Sequence, residues 1–157
     1  MFRNKMIYGL NKHLIVQKRL LTHAEKQLAM SVFGTSIELE HIQIVAHRLV
    51  LKHYAISPNG NIYFHPANWC EDFTQDTILK QSWFIHELVH VWQYQQGVKL
   101  IRTALFDRKY NYVLQQGKQF FQYGIEQQAQ MVQDYFIRLH TGQPCQDLAT
   151  CIPFIPK

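Results

Sequence analysis

Leu28, Val32 and Phe33 place apolar side chains on one helical stripe, directly after Thr22-His23-Ala24-Glu25. A hydroxyl followed three residues later by a carboxylate has the form of a capping box, so the pattern predicts a helix over about 23–33, stopped by Gly34. Residues 42–51 are rich in branched aliphatics and read as a strand. Ser57-Pro58-Asn59-Gly60 signals a turn, and Asn61-Ile62-Tyr63-Phe64 after it reads as a short second strand. From Thr77 to Gln96 there is neither Gly nor Pro, and Gly97 stands where a glycine would end a helix. Ile78, Leu79, Trp83, Phe84, Ile85, Leu88, Val89, Val91 and Trp92 fall on nearly every side of that helix, which predicts a buried one. A further helix over about 124–139 carries Ile125, Ala129, Val132 and Phe136 on one face, with Gly142 and Pro144 beyond it as stops. Residues 98–123 are basic and aromatic, and their pattern assigns no element.

The buried helix contains His86-Glu87-Leu88-Val89-His90. Residues four apart stack on one helical face, so both imidazoles can reach one metal ion. Glu87 lies about 100° round from His86, beside such an ion, where a carboxylate can take a proton from water. Zn2+ suits imidazole and carboxylate ligands and lowers the pKa of bound water to roughly 7. Given 9 His and 6 Glu in 157 residues, random placement yields this motif about 0.02 times per chain. The plain alternative is a structural His-Glu-His satisfied by ordinary hydrogen bonds. Burying three such groups in an apolar helix without a common partner is costly, which favours the metal. Two histidines leave the site one ligand short. Gln96 occupies the place ten residues beyond His86 where a third histidine would stand. Glu126 is the one glutamate after Glu87 and is the first choice as third ligand, with Asp134 and His140 as the alternatives.

Composition narrows the setting. At 157 residues with 47% hydrophobic positions, the chain fits one domain with a proper core. Its apolar runs are three or four residues long, so no transmembrane helix is expected. The net charge of +5 arises within residues 1–20, from Arg3, Lys5, Lys12, Lys18 and Arg19, while residues 21–157 sum to zero. The sequence therefore reads as a basic N-terminal arm, 1–20, on a single domain, 21–157. Confinement of the excess to an arm argues against a nucleic-acid-binding face. Lys99, Arg102, Arg108, Lys109 and Lys118 with interleaved Tyr110 and Tyr112 read as a solvated face beside a cleft. Gln17-Lys18-Arg19 interrupts the apolar stretch a Sec signal needs, so synthesis in the cytoplasm without a Sec signal is expected. Cys70, Cys145 and Cys151 show no C-x-x-C spacing and read as reduced thiols, with a Cys145–Cys151 bridge left open. His41, His47, His53 and His65 share no ligand spacing.

The string from Trp83 to Gln93, followed by Gln95-Gln96-Gly97, resembles small metallopeptidase-like proteins encoded with Rhs, VgrG and contractile secretion systems. Glu126, Gln128 and Ala129 echo their later E-x-Q-A helix. The resemblance implies an α+β fold of minimal zincin type, with a few short strands packed on an active-site helix and a third-ligand helix. It implies a gluzincin-like centre in which His86, His90 and Glu126 hold Zn2+ and Glu87 is the catalytic base. Tyr135 and His140 are candidate oxyanion stabilisers, with Tyr110, Tyr112 and Tyr123 further candidates upstream. Asp72, Asp76, Gln130 and Asp134 are candidate acceptors for the ligand histidines. The expected function is zinc-dependent hydrolysis of a peptide bond, in a protein or a peptidoglycan stem peptide, by a secretion-system effector or processing enzyme. The rival expectation is a non-catalytic zinc-stabilised module that binds a Rhs- or VgrG-like partner. Export through a contractile secretion system would follow from either.

Overall fold

The computed structural model describes residues 13–100 and 109–155. The Glu25 backbone N–H donates to Thr22 Oγ1 at 3.1 Å, and Thr22 N donates to the Glu25 carboxylate at 2.9 Å. This reciprocal cap starts helix α1, His23–Phe33, at the position the sequence pattern gives. The remaining elements in chain order are β1 (Ile15–Leu20), β2 (Gln43–His47), β3 (Ala55–Ile56), β4 (Ile62–Phe64), α2 (Ile78–Gln95), α3 (Ile125–His140) and α4 (Gln146–Cys151). The strands form one sheet in the order β1-β2-β4-β3. β2 pairs antiparallel with β1 and parallel with β4, and β4 pairs antiparallel with β3. The result is the α+β domain expected.

The strand predicted over 42–51 is shorter, covering Gln43–His47, with one further bond from Arg48 N to Leu14 O at 2.9 Å. Ile15 pairs with His47, and beyond that point the chain turns, with Val50 N donating to His47 O at 3.2 Å. Two strands were not legible at all. β3 is two residues long, and β1 lies in the stretch read from the sequence as the end of a basic arm. β1 is largely solvent-facing, so it shows no apolar alternation, and it carries the exposed charge of Lys18 on an edge strand of the sheet. The sheet therefore begins at Ile15 rather than after Leu20, while Arg3, Lys5 and Lys12 lie outside the described residues.

Arg19 is built into the domain. Its guanidinium clasps the fully buried Glu25 carboxylate through two bonds of 2.7 and 2.8 Å and donates to Cys70 O at 2.8 and 3.2 Å. Glu25 also accepts from Phe73 N at 2.9 Å, so one ion pair joins β1, α1 and the loop leading to α2. Removing one partner of such a pair leaves the other desolvated and unpaired. Glu25→Ala is expected to lower unfolding stability by about 3–5 kcal/mol, read from the midpoint of urea denaturation.

The core sits between the sheet and the helices. Phe73 stacks on Phe84 at 5.1 Å between ring centres, Phe64 packs against Phe73 and Trp83, and Phe154 joins Phe33 to Trp92. α4, a six-residue helix with no periodic signal, brings Leu148 into this core, and Ile152 follows it. α2 and α3 run antiparallel, joined by Ser82 to Gln133 at one end and Gln93 to Ile125 at the other.

Candidate metal centre

From Phe84 to Gln93 every residue of α2 is buried, which confirms the helix read as apolar all round. Gly97, at φ 85°, follows its end and takes the left-handed conformation expected of it. α3 shows the opposite pattern. Ile125, Ala129, Val132 and Phe136 face the core, and Glu126 in its first turn projects towards α2. The Glu126 carboxylate oxygen lies 3.3 Å from His86 Nε2 and 3.1 Å from His90 Nε2. The three potential ligand atoms all fall within 4.8 Å of one another, and among the described residues this is the cluster of His, Cys, Asp and Glu able to hold one metal ion. Asp134 and His140, the alternatives for the third position, stand elsewhere.

The other nitrogen of each ring is also engaged. His86 Nδ1 lies 3.0 Å from Gln133 Oε1, and His90 Nδ1 lies 2.8 Å from Gln93 Oε1. An amide oxygen can only accept, so each ring carries a proton on Nδ1 and turns Nε2 towards Glu126. The glutamines are themselves tied down. Gln133 donates to Ser82 Oγ at 3.2 Å, and Gln93 donates to Ile125 O at 3.1 Å and Gln128 Oε1 at 3.0 Å. These acceptors differ from the four candidates drawn from the sequence. Asp72 is bound to Thr22 and Thr74, Asp76 pairs with Lys80, and Gln130 donates to Asp134. The signal for the true partners is positional: Gln93 lies one turn beyond His90, and Gln133 lies two turns beyond Glu126 on the same face.

Glu87 stands outside the ligand trio. It is buried, and one carboxylate oxygen accepts from the buried Ser57 hydroxyl at 2.8 Å. Ser57 follows β3 directly, so the short edge strand missed in the sequence is what delivers it.

The five candidate oxyanion donors separate by position. Tyr110 is half exposed, with its ring centre 6.1 Å from that of His86. Tyr112 donates to Asp134 and Tyr123 to Val113 O. Tyr135 is buried, and at 1.5 Å per residue it lies about 13 Å along α3 from Glu126, with His140 about 21 Å along. The His140 ring packs on Phe136 at 4.1 Å.

Electrostatically the trio is a seat for positive charge. Burial opposes ionisation of Glu126, but hydrogen bonds from His86 and His90 outweigh it and bring the carboxyl down to about 2. Burial likewise opposes the charged form of His90, yet the Glu126 hydrogen bond and the charges of Glu87 and Glu126 hold it up at about 9. Without a metal, a proton occupies the place of the cation. His90 therefore adds stability in full below its ordinary 6.5, and that contribution is lost as pH rises through about 9. Glu126 adds stability above its ordinary 4.5 that is lost as pH falls towards 2. Thermal melts of chelator-treated protein are expected to plateau between these ordinary values and fall on both sides.

Fold and cluster together define a small α+β domain organised round a centre of two histidines and one carboxylate. No family model matches the chain. Its structure superposes on the effector domain of Pseudomonas aeruginosa VgrG2b with a TM-score of 0.75 and 31% identity, over 90% of this chain and 86% of that one. In sequence it is 37% identical over 131 residues to the type VI secretion system spike protein VgrG2b of that organism. That match takes in 76% of this chain but 13% of the spike protein's length. The chain belongs to the family of the VgrG2b effector domain. Among its described residues no helix is long and apolar enough to cross a membrane.

Proposed function

We propose that this domain is a zinc-dependent peptidase deployed as an effector of a type VI secretion system. The observation that carries the chemical half is the convergence of ligand atoms of His86, His90 and Glu126 within 4.8 Å, with the Glu87 carboxylate, held by Ser57, buried on the same helix as the two histidines. The secretion half rests on kinship with a domain named as an effector within a type VI spike protein. A VgrG-like spike is accordingly the partner, and export through that system the route.

The donor set fits zinc. Two imidazoles and one carboxylate are a known three-ligand set for catalytic zinc, and the Nδ1 hydrogen bonds already select the tautomer that ligation requires. When bound, zinc would supply Lewis acidity, lowering the pKa of water to roughly 7 and polarising a peptide carbonyl. Glu87, whose charge is felt by His90, would serve as the proton acceptor and would return that proton to the leaving amine. Ser57 restrains one of its oxygens, which leaves the other for the proton. A purely structural zinc is closed by four protein ligands, whereas the trio offers three among the described residues. That count, and a buried Glu87 outside the trio, favour catalysis over a zinc-stabilised binding module.

The test is metal content together with turnover. Protein purified without added metal is expected to hold about one zinc per chain, and mass spectrometry of digests is expected to show new termini in peptide or peptidoglycan substrates. Protein that binds no zinc at micromolar concentrations would remove the proposal.

A further inference from the structure

Asp134 takes no part in the metal cluster, although it lies on the same helix as Glu126. Its two oxygens accept from the Tyr112 hydroxyl and from Gln130 Nε2, each at 2.7 Å. Both donors are neutral, and among the described residues no Lys, Arg or His forms an ion pair with it. The bonds hold the carboxylate in place without neutralising it, and each oxygen keeps a further lone pair.

A groove of about 710 Å³ runs past this carboxylate. Residues 110–114 line it together with Gln130, Asp134 and Arg138 of α3 and with Asp147, the partner of Arg138. Arg138 is matched by Asp147 at 3.3 Å, so among the described residues that line the groove one negative charge, that of Asp134, has no ion-pair partner. Tyr110 lines the groove and its ring centre lies 6.1 Å from that of His86, so this tyrosine stands between the groove and the metal cluster. Glu126, Gln130 and Asp134 are four residues apart and share one face of α3.

We propose that this groove is a subsite for a positively charged side chain of an extended peptide substrate, an ammonium or guanidinium group, with Asp134 as its counter-charge. The word substrate rests on the peptidase reading; the binding of a cationic peptide does not. Eight residues of helix separate Glu126 from Asp134, about 12 Å, which an extended peptide covers in three to four residues. The cationic residue therefore sits that far from the bond at the metal cluster. If Asp134 served only to pin Tyr112 to α3, asparagine would serve as well. Its oxygen still accepts from Tyr112, and Gln130 can turn its amide to accept from the new NH2.

The experiment uses the full chain carrying Glu87→Gln, so that bound peptide is not consumed. The probes are fluorescein-labelled heptapeptides with blocked, neutral backbone ends, in which one lysine is scanned along a neutral sequence and compared with norleucine at each position. One lysine position is expected to bind about tenfold tighter than its norleucine counterpart, a preference that shrinks in 0.5 M salt. Adding Asp134→Asn is expected to bring lysine down to the norleucine affinity, with the melting temperature unchanged. No binding, no preferred lysine position, or a preference that survives Asp134→Asn would overturn the subsite. Zinc content and turnover are measured in parallel on protein with Glu87 intact. A chain that prefers the lysine peptide but holds no zinc and cuts nothing would sink the peptidase reading and leave this one standing.

Discussion

Replacing Glu126 by alanine is expected to remove most of the zinc affinity. In the proposed centre the carboxylate is the one anionic ligand, and its oxygen sits between two imidazole nitrogens at 3.1 and 3.3 Å. Without it two neutral rings remain, and nothing in the trio offsets a dication. Loss of a hydrogen-bonding partner behind a ligand already costs about 10–100-fold in affinity, so loss of the ligand itself should exceed that. Competition with a chromogenic chelator reads the effect, with Asp134→Ala and His140→Ala as contrasts expected to bind zinc like the wild type. Their positions two and more than three turns along α3 place them beyond the cluster. Zinc held by Glu126→Ala as tightly as by the wild type would show the third ligand to be another residue.

The second large effect is expected at Glu87. Glutamine has the same shape, and its oxygen can still accept from Ser57, so Glu87→Gln should fold normally and hold its zinc. What it lacks is basicity. Positioned proton transfer contributes about 10²–10⁴-fold, and turnover should fall by that much with metal content unchanged. Equal turnover in Glu87→Gln and wild type would exclude the general-base role. Zinc binding with no turnover in either protein would support the rival reading, a zinc-stabilised module that docks on a secretion partner.

How far the chain announces all this varies by element. Helices α1, α2 and α3 were legible because their start and stop signals are local: Thr22 with Glu25, Thr77 with Gly97, and Gly142 beyond His140. The candidate ligand pair was legible because both histidines lie on one helix at a fixed spacing. Glu126 was legible mainly by elimination, since no local rule says which face of α3 meets α2. The strands were harder to see. β1 buries little, and β3 has two residues, so neither carries a period. Residues 109–119 resisted assignment for another reason. They form no regular ladder and are placed by distant side chains, with Gln127 donating to Asn111 O, Tyr123 contacting Val113 and Gln115, and Tyr112 reaching Asp134. The ring partners Gln93 and Gln133 were missed because carboxylates were sought, and a neutral amide does the same task.

That substitution of amide for carboxylate has an electronic consequence. A carboxylate behind a ligating imidazole pushes electron density through the ring and makes it a stronger donor. Gln93 and Gln133 orient their rings at 2.8 and 3.0 Å while contributing no formal charge. A dication seated against these rings and the single anion Glu126 would keep a net charge near +1. Its pull on an electron pair offered by a substrate would be correspondingly less diluted, at some expense in how tightly the ion is retained.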